Sequence, residues 1–270
     1  MNDEALFRRV GRDEYVPTEY AIGPWDPTIV HGAAIAALLA GRVEPDPNEE
    51  STLARLTVEI LAPVPLAPLR LTLVDGAAGS RVRRGTAVLS RVEDDRPVAT
   101  ASAVIVRRRQ LELPEGALDT ETPFASEAAP SLDEADPGVA EGVGWKGFDS
   151  QSIALKWQQN DEDPRTHLWV GLPVPVVGGL ERTTVELAAV GADFSQSAVN
   201  RVLSYKSWSF RNAEITIHFA RRPVGEWIGV RSGVLLGEVG AGIGSSDLFD
   251  CQGLVARSAA TLVVEPRQPV

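Results

Sequence analysis

Apolar and polar residues alternate in two well-separated stretches. Leu56, Val58 and Ile60 interleave with Thr57 and Glu59, and Ile215, Ile217 and Phe219 interleave with Glu214, Thr216 and His218. A period of two sends successive side chains to opposite faces, so each stretch predicts a strand with one apolar face; Asn212 falls on the polar face with Glu214, Thr216 and His218. Two runs of small and apolar residues, His31 to Arg42 and Leu180 to Ala192, begin after prolines and end near glycine, which predicts two helices. The segments VLSRVEDDRPVATASAVIV (88–106) and DLFDCQGLVARSAATLVV (247–264) read as strand pairs with turns at Asp94-Asp95 and Gln252-Gly253. The glycines of GEVGAGIGSS (237–246) imitate a dinucleotide loop, but they precede a strand rather than a helix, so this segment reads as a loop or bulge.

These elements repeat. Thr57 aligns with Thr216 at an offset of 159 residues, Ala99 aligns with Ala256 at 157, and the two small-residue helices match each other. A sheet with one apolar face needs an apolar cover, and within each half the candidate cover is the small-residue helix. The expected class is α+β: one helix wrapped by an antiparallel sheet, twice. Between Gln110 and Trp145 there is no lysine or arginine; nine acidic residues and prolines at 114, 123, 130 and 137 mark a linker. The expected units are therefore 1–109 and 146–270, joined by an acidic segment at 110–145.

Composition narrows the function. The formal net charge of -11 argues against binding nucleic acid through a basic surface. Local arginine clusters (81, 83 and 84; 107 to 109; 221 and 222) suit phosphate geometry and so a nucleotide-bearing substrate. A single cysteine, Cys251, excludes an intramolecular disulfide and a cysteine-based metal cluster, and the three histidines show no metal-ligand spacing; no metal and no cofactor is expected. The longest apolar run, Val30 to Gly41, is too short to span a bilayer, so no membrane association and a cytoplasmic location are expected.

The segments PWDPTIVHGAAIAALLAG (24–41), LTVEILAPVPLAPLRL (56–71), VGADFSQS (190–197) and EITIHFARRPVGEW (214–227) resemble the acyl-CoA thioesterase II (TesB-like) family of double-hotdog proteins. The resemblance implies a double hotdog fold and hydrolysis of an acyl-CoA, by water that a catalytic aspartate activates. Asp193 matches that aspartate, Asn212 the hydroxyl residue at the start of the next strand, and Ala260 the glutamine of the last strand, where the family pattern is broken. His31-Gly32-Ala33 resembles the helix-opening segment of single-hotdog thioesterases, whose glycine amide holds the substrate carbonyl and whose acid lies nine positions on; here that position is Ala40. In the second copy, nine positions before Asp193 stands Thr184.

One copy thus keeps the donor and the other the acid, which implies one composite site with the Gly32 amide facing Asp193. The expected catalytic set is Asp193, Asn212 and Gly32, with His31, Ala33, Ser195, Arg221 and Arg222 around the substrate. A free helix N-terminus favours a developing oxyanion. No G-x-S-x-G elbow is present. Two alternatives stay open: a catalytically silent acyl-CoA-binding protein, consistent with Ala260, and an enoyl-CoA hydratase using His31 with Asp193. The expected partners are an acyl thioester and further copies of the chain, since exposed sheet edges and backs commonly pair.

Overall fold

A computed structural model of the chain describes residues 4–46, 48–79, 81–114, 129–131, 134–136, 145–158, 160 and 163–267. The first half contributes β1 (Phe7–Arg9), β2 (Glu14–Pro17), α1 (Gly32–Val43), β3 (Ser51–Ile60), β4 (Leu69–Ala78), β5 (Val82–Arg91) and β6 (Pro97–Arg107). The second contributes α2 (Phe148–Gln151), β7 (Ala154–Gln158), β8 (Thr166–Gly171), α3 (Thr184–Asp193), β9 (Trp208–Phe219), β10 (Trp227–Leu236), β11 (Ala241–Asp250) and β12 (Gly253–Pro266). All described strands join one sheet in the order β1-β2-β4-β5-β6-β3-β9-β12-β11-β10-β8-β7. Read outward from its centre, each side repeats the other: β3, β6, β5, β4 against β9, β12, β11, β10. This is a double hotdog.

At the centre, β3 and β9 run antiparallel with Thr57 opposite Thr216, and the two hydroxyls hydrogen-bond at 3.0 Å. These are the threonines that the sequence repeat makes equivalent. Two equivalent residues paired with each other lie on a twofold axis, so a pseudo-twofold passes between them.

The helices lie on the inner face of the sheet and against each other. Nine of the twelve residues of α1 are buried, and alanine supplies five of them. Small side chains allow close approach: a Cβ on Gly191 of α3 would fall 2.8 Å from Ile228 Cγ2 on β10. Leu38 and Leu39 are fully buried, and truncating either to alanine costs about 2–5 kcal/mol. Gly32 lies beside Asp193 and Gly41 beside Glu186, so α1 and α3 are antiparallel. The second helix starts at Thr184, not at Leu180. Thr183 and Glu186 form a reciprocal capping box, Thr183 N donating to Glu186 Oε2 at 2.7 Å and Glu186 N to Thr183 Oγ1 at 3.1 Å, which sets the first turn.

One expectation fails in a way that matters. Alternation puts Asn212 on the polar face, yet it is buried. Leu262 pairs with Asn212 and Thr261 with Glu214, so Ala213 is an extra residue, a β-bulge. A one-residue insertion moves everything before it to the opposite face, and Asn212 turns inward. The first copy has the same bulge at Ala54, between the Leu53–Ile105 and Arg55–Val104 pairs, and there Leu53 turns inward. The glycine-rich segment also differs from expectation: residues 237–240 form a turn with Gly240 at φ 80°, but from Ala241 onward it is strand β11. Within the acidic stretch at 110–145, Asp136 lies along β7, receiving the Trp157 amide at 2.8 Å and Lys156 Nζ at 3.1 Å. Residues 115–128, 132, 133 and 137–144 of that stretch lie outside the described residues, as do six of its nine acids.

Candidate active site

The N-terminus of α1 and the C-terminus of α3 meet where the bulge of β9 directs Asn212 inward. Asn212 Nδ2 donates to Asp193 Oδ1 at 2.7 Å and to the Asp193 carbonyl at 3.2 Å, holding both the carboxylate and the helix end. Gly32 stands opposite; a Cβ there would lie 3.1 Å from Asp193 Oδ1 and 3.4 Å from Ile60 Cδ1. The absence of a side chain lets the first turn of α1, whose leading amides have no carbonyl partner within the helix, approach the acid. His31 is the N-cap of α1, its Nδ1 accepting from the Ala33 amide at 3.0 Å. The same Nδ1 is 3.6 Å from Asp193 Oδ2, and Nε2 is 3.4 Å from Asp149 Oδ1 on α2. Phe148, the neighbour of Asp149, stacks on the imidazole with ring centroids 4.5 Å apart.

The electrostatics follow from burial. Asp193 is only 2% exposed, and removal from water pushes its carboxyl above the usual carboxylate range, although His31, Asn212 and the Ala33 amide pull the other way. For His31 burial opposes the charged ring, but Asp149 and Asp193 together outweigh it and hold its pKa above the ordinary imidazole value. A carboxylate whose pKa is raised is a stronger base than an ordinary one.

Two cavities open onto this cluster and share Trp25, His31, Asp193 and Gln196. The larger, about 650 Å³, is walled by Trp25, Phe194, Leu203, Tyr205 and Phe210; the smaller, about 280 Å³, passes Gly32, Ile60 and Asn212 toward Arg211. Trp25, Tyr205 and Phe210 form an aromatic cluster with centroids 5.0 to 6.1 Å apart. Asn212 Oδ1 and Gln196 Oε1 are both buried without a hydrogen-bond partner among the described residues.

Of the residues expected from sequence, the structure brings together Asp193, Asn212, Gly32, His31 and Ala33. Ser195 is not among them: it is fully buried and its Oγ lies 3.0 Å from where a Cβ on Gly244 of β11 would be. Arg221 and Arg222 lie at the opposite end of the helix pair, beside Glu44 and Val185. Arg221 is held by both carboxylate oxygens of Asp250, and Arg222 Nη2 is 2.8 Å from Glu44 Oε1. Ala260 pairs with Ile215 and Gly244, while Leu262 is the residue that faces Asn212 across the ladder. The helix caps also refine the repeat: aligning His31 with Thr183 places Gly41, one residue beyond Ala40, in the position of Asp193.

Three groups escaped the sequence reading. Asp149 follows a stretch with no periodic pattern, Gln196 sits in the 3-10 segment Phe194–Arg201 after α3, and the aromatic wall combines Trp25 with Tyr205 and Phe210 from 180 residues away. Only the glutamine had a local signal, its place three residues after the acid. Among the described residues no group of three His, Cys, Asp or Glu side chains is arranged to hold a metal ion, and no helix is long and apolar enough to cross a membrane.

Comparison with solved structures agrees with this architecture. A protein assigned as a thioesterase from Novosphingobium aromaticivorans is 18% identical, covers 96% of this chain and 98% of its own, and superposes with a TM-score of 0.70. The tesB protein of Mycobacterium avium subspecies paratuberculosis is 17% identical, with 96% of both chains covered and a TM-score of 0.65. A hot dog protein of unknown function from Alicyclobacillus acidocaldarius is 17% identical, covers 99% and 98%, and gives 0.64. At these identities the likeness is one of fold. Comparison with curated protein sequences finds no match. Family models do match: an acyl-CoA thioesterase N-terminal domain over residues 21–106 and an acyl-CoA thioesterase C-terminal domain over residues 114–264. Carrying both domains over most of its length, the chain belongs to the acyl-CoA thioesterase family and is a thioester hydrolase.

Proposed function

We propose that the chain hydrolyses an acyl-CoA to the free acid and CoA, with Asp193 as the general base. Water that donates one hydrogen bond to the Asp193 carboxylate and the other to the amide oxygen of Gln196 attacks the thioester carbon. Asp193 takes its proton, and the Gly32 amide at the start of α1 receives the negative charge that develops on the carbonyl oxygen. Collapse of the tetrahedral intermediate breaks the carbon–sulfur bond, and the proton on Asp193 is returned to the departing thiolate. Asn212 keeps the carboxylate oriented, and Gln196 takes the part that Ala260 leaves unfilled. The aromatic cavity receives the acyl chain and the narrower one the pantetheine arm, so the scissile bond sits at their junction.

The observation that carries this reading is the convergence of Gly32 from one copy and Asp193 with Asn212 from the other where two cavities meet. Its test is thiol release from a panel of acyl-CoAs of increasing chain length. Asp193→Asn is expected to fold normally and to lose activity by about 10²- to 10⁴-fold, the range of general-base contributions; unchanged hydrolysis overturns the proposal. A second reading is favoured by one observation, the 3.6 Å approach of His31 Nδ1 to Asp193 Oδ2, which is the acid–base pair a hydratase needs. Addition of water to an enoyl-CoA, without thiol release, would select it.

A further inference from the structure

A third cavity, about 730 Å³, lies at the far end of the α1–α3 pair. It is the pseudo-twofold mate of the catalytic one. The helices correspond at the offset of their N-caps, His31 and Thr183, and the strands at the offset of Thr57 and Thr216. By those offsets the positions of Gly32, Asp193 and Gln196 are taken by Thr184, Gly41 and Glu44, and the position of Asn212 by Leu53. Glu44 and Leu53 line the far cavity as Gln196 and Asn212 line the catalytic side, and Phe219 stands for Ile60. The acid, its amide clamp and the glycine are gone from the positions they hold in the catalytic copy, and the carboxylates that stand nearby are engaged elsewhere, Glu44 with Arg222 and Glu186 with the Thr183 amide.

What replaced them is charge. Arg81, Arg107, Arg108, Arg109, Arg221 and Arg222 line this cavity, against the single carboxylate of Glu44. At the corresponding strand end the catalytic copy has Ala62 and Pro63 in place of Arg221 and Arg222. In a chain with a net charge of -11, these six guanidinium groups concentrate positive charge around one cavity. Arg221 and Arg222 are fixed by Asp250 and Glu44, and Arg107 reaches Glu50 at 3.0 Å. Arg81 and Arg109 carry no ion pair among the described residues, which leaves their forks for a ligand. Between the arginines the walls are apolar: Leu53, Val82, Val106, Val185 and Phe219.

We propose that this retired copy of the active site is a non-hydrolytic binding pocket for a phosphate-bearing nucleotide, the arginines taking the phosphates and the apolar walls the base. Guanidinium groups match phosphate oxygens two at a time, and apolar surface suits a stacked or buried heterocycle. Free CoA and the adenine nucleotides share that chemistry. The site is separate from the catalytic junction, so the proposal stands apart from the role given to Asp193.

The test is calorimetric titration of the full chain with ADP, CoA and inorganic pyrophosphate, in the wild type and in an Arg81→Ala/Arg109→Ala double variant, beside acyl-CoA turnover without added nucleotide. Expected is binding of ADP, CoA or both to the wild type, about tenfold weaker or worse in the double variant, with turnover unchanged. Binding of CoA but not ADP assigns the product nucleotide; binding of both assigns adenine nucleotides generally. An Arg81→Lys/Arg109→Lys variant, which keeps the charge, should recover part of the affinity. Equal affinity in the wild type and the alanine variant, no nucleotide binding, or a raised KM for acyl-CoA as the main effect of the variant overturns the proposal. So does pyrophosphate binding as tightly as either nucleotide, since that describes a bare anion patch.

Discussion

Asp193 is held above the usual carboxylate range because burial, the largest influence on it, together with the neighbouring Asp149 outweighs His31, Asn212 and the Ala33 amide, which favour its charge. If it must be ionised to act, kcat/KM should fall on acidification at a pH higher than an ordinary aspartate would give. Asn212→Leu, which installs the residue that the first copy carries as Leu53, removes the 2.7 Å hydrogen bond that favours the carboxylate. The acid limb should then move to higher pH, read from pH profiles of kcat/KM in the two proteins; a limb that stays in place separates Asn212 from the acid. Glu186 offers a stability test at the same scale. Buried beside Glu44, its carboxyl is pushed up to about 7. A carboxyl whose folded pKa is raised favours the folded state when protonated, so stability should decline as pH rises from about 4.5 through about 7, by a few kcal/mol at most. Glu186→Gln retains an acceptor for the Thr183 amide and should flatten that slope in thermal unfolding measured across the window.

Among the elements, the paired bulges matter most. Ala54 and Ala213 are equivalent under the repeat, and each turns the residue before it toward the helices. In one copy that residue is Leu53, which joins the wall of the far cavity; in the other it is Asn212, which clamps the acid. Deleting Ala213 should restore strict alternation and send Asn212 back to the outer face. The expected outcome is a folded protein whose acid limb moves to higher pH as in Asn212→Leu, measured from pH profiles of thiol release beside circular dichroism. The same deletion at Ala54 disturbs the far cavity and should leave hydrolysis nearly intact.

For the whole molecule, the site exists because the two copies face each other. Gly32 and His31 come from one side of the pseudo-twofold and Asp193 and Asn212 from the other, and the β3–β9 pairing at Thr57 and Thr216 fixes their relation. Residues 1–109 and 146–270 produced separately should each lack thioesterase activity, whereas co-expression should restore part of it; activity in either piece alone would contradict a composite site.

The hydrophobic periods, the small-residue helices and the offset of 159 residues between Thr57 and Thr216 were sufficient for the α+β class and the tandem arrangement. They are local patterns, set by the geometry of strands and helices. The pairing of Gly32 with Asp193 was legible only through the resemblance to hotdog thioesterases, against whose pattern the two copies show complementary losses that imply a shared site. Tertiary structure decided the rest. A bulge changes which face a residue occupies without altering composition, so Asn212 read as solvent-facing until the ladder was visible. Arg221 and Arg222 looked like substrate ligands, but the antiparallel helices put them at the end away from Asp193. Asp149, Gln196 and the Trp25 wall join the site through packing between segments far apart in the chain, which no local pattern encodes. Sequence determined which residues repeat; the twofold closure of the sheet decided which of them meet.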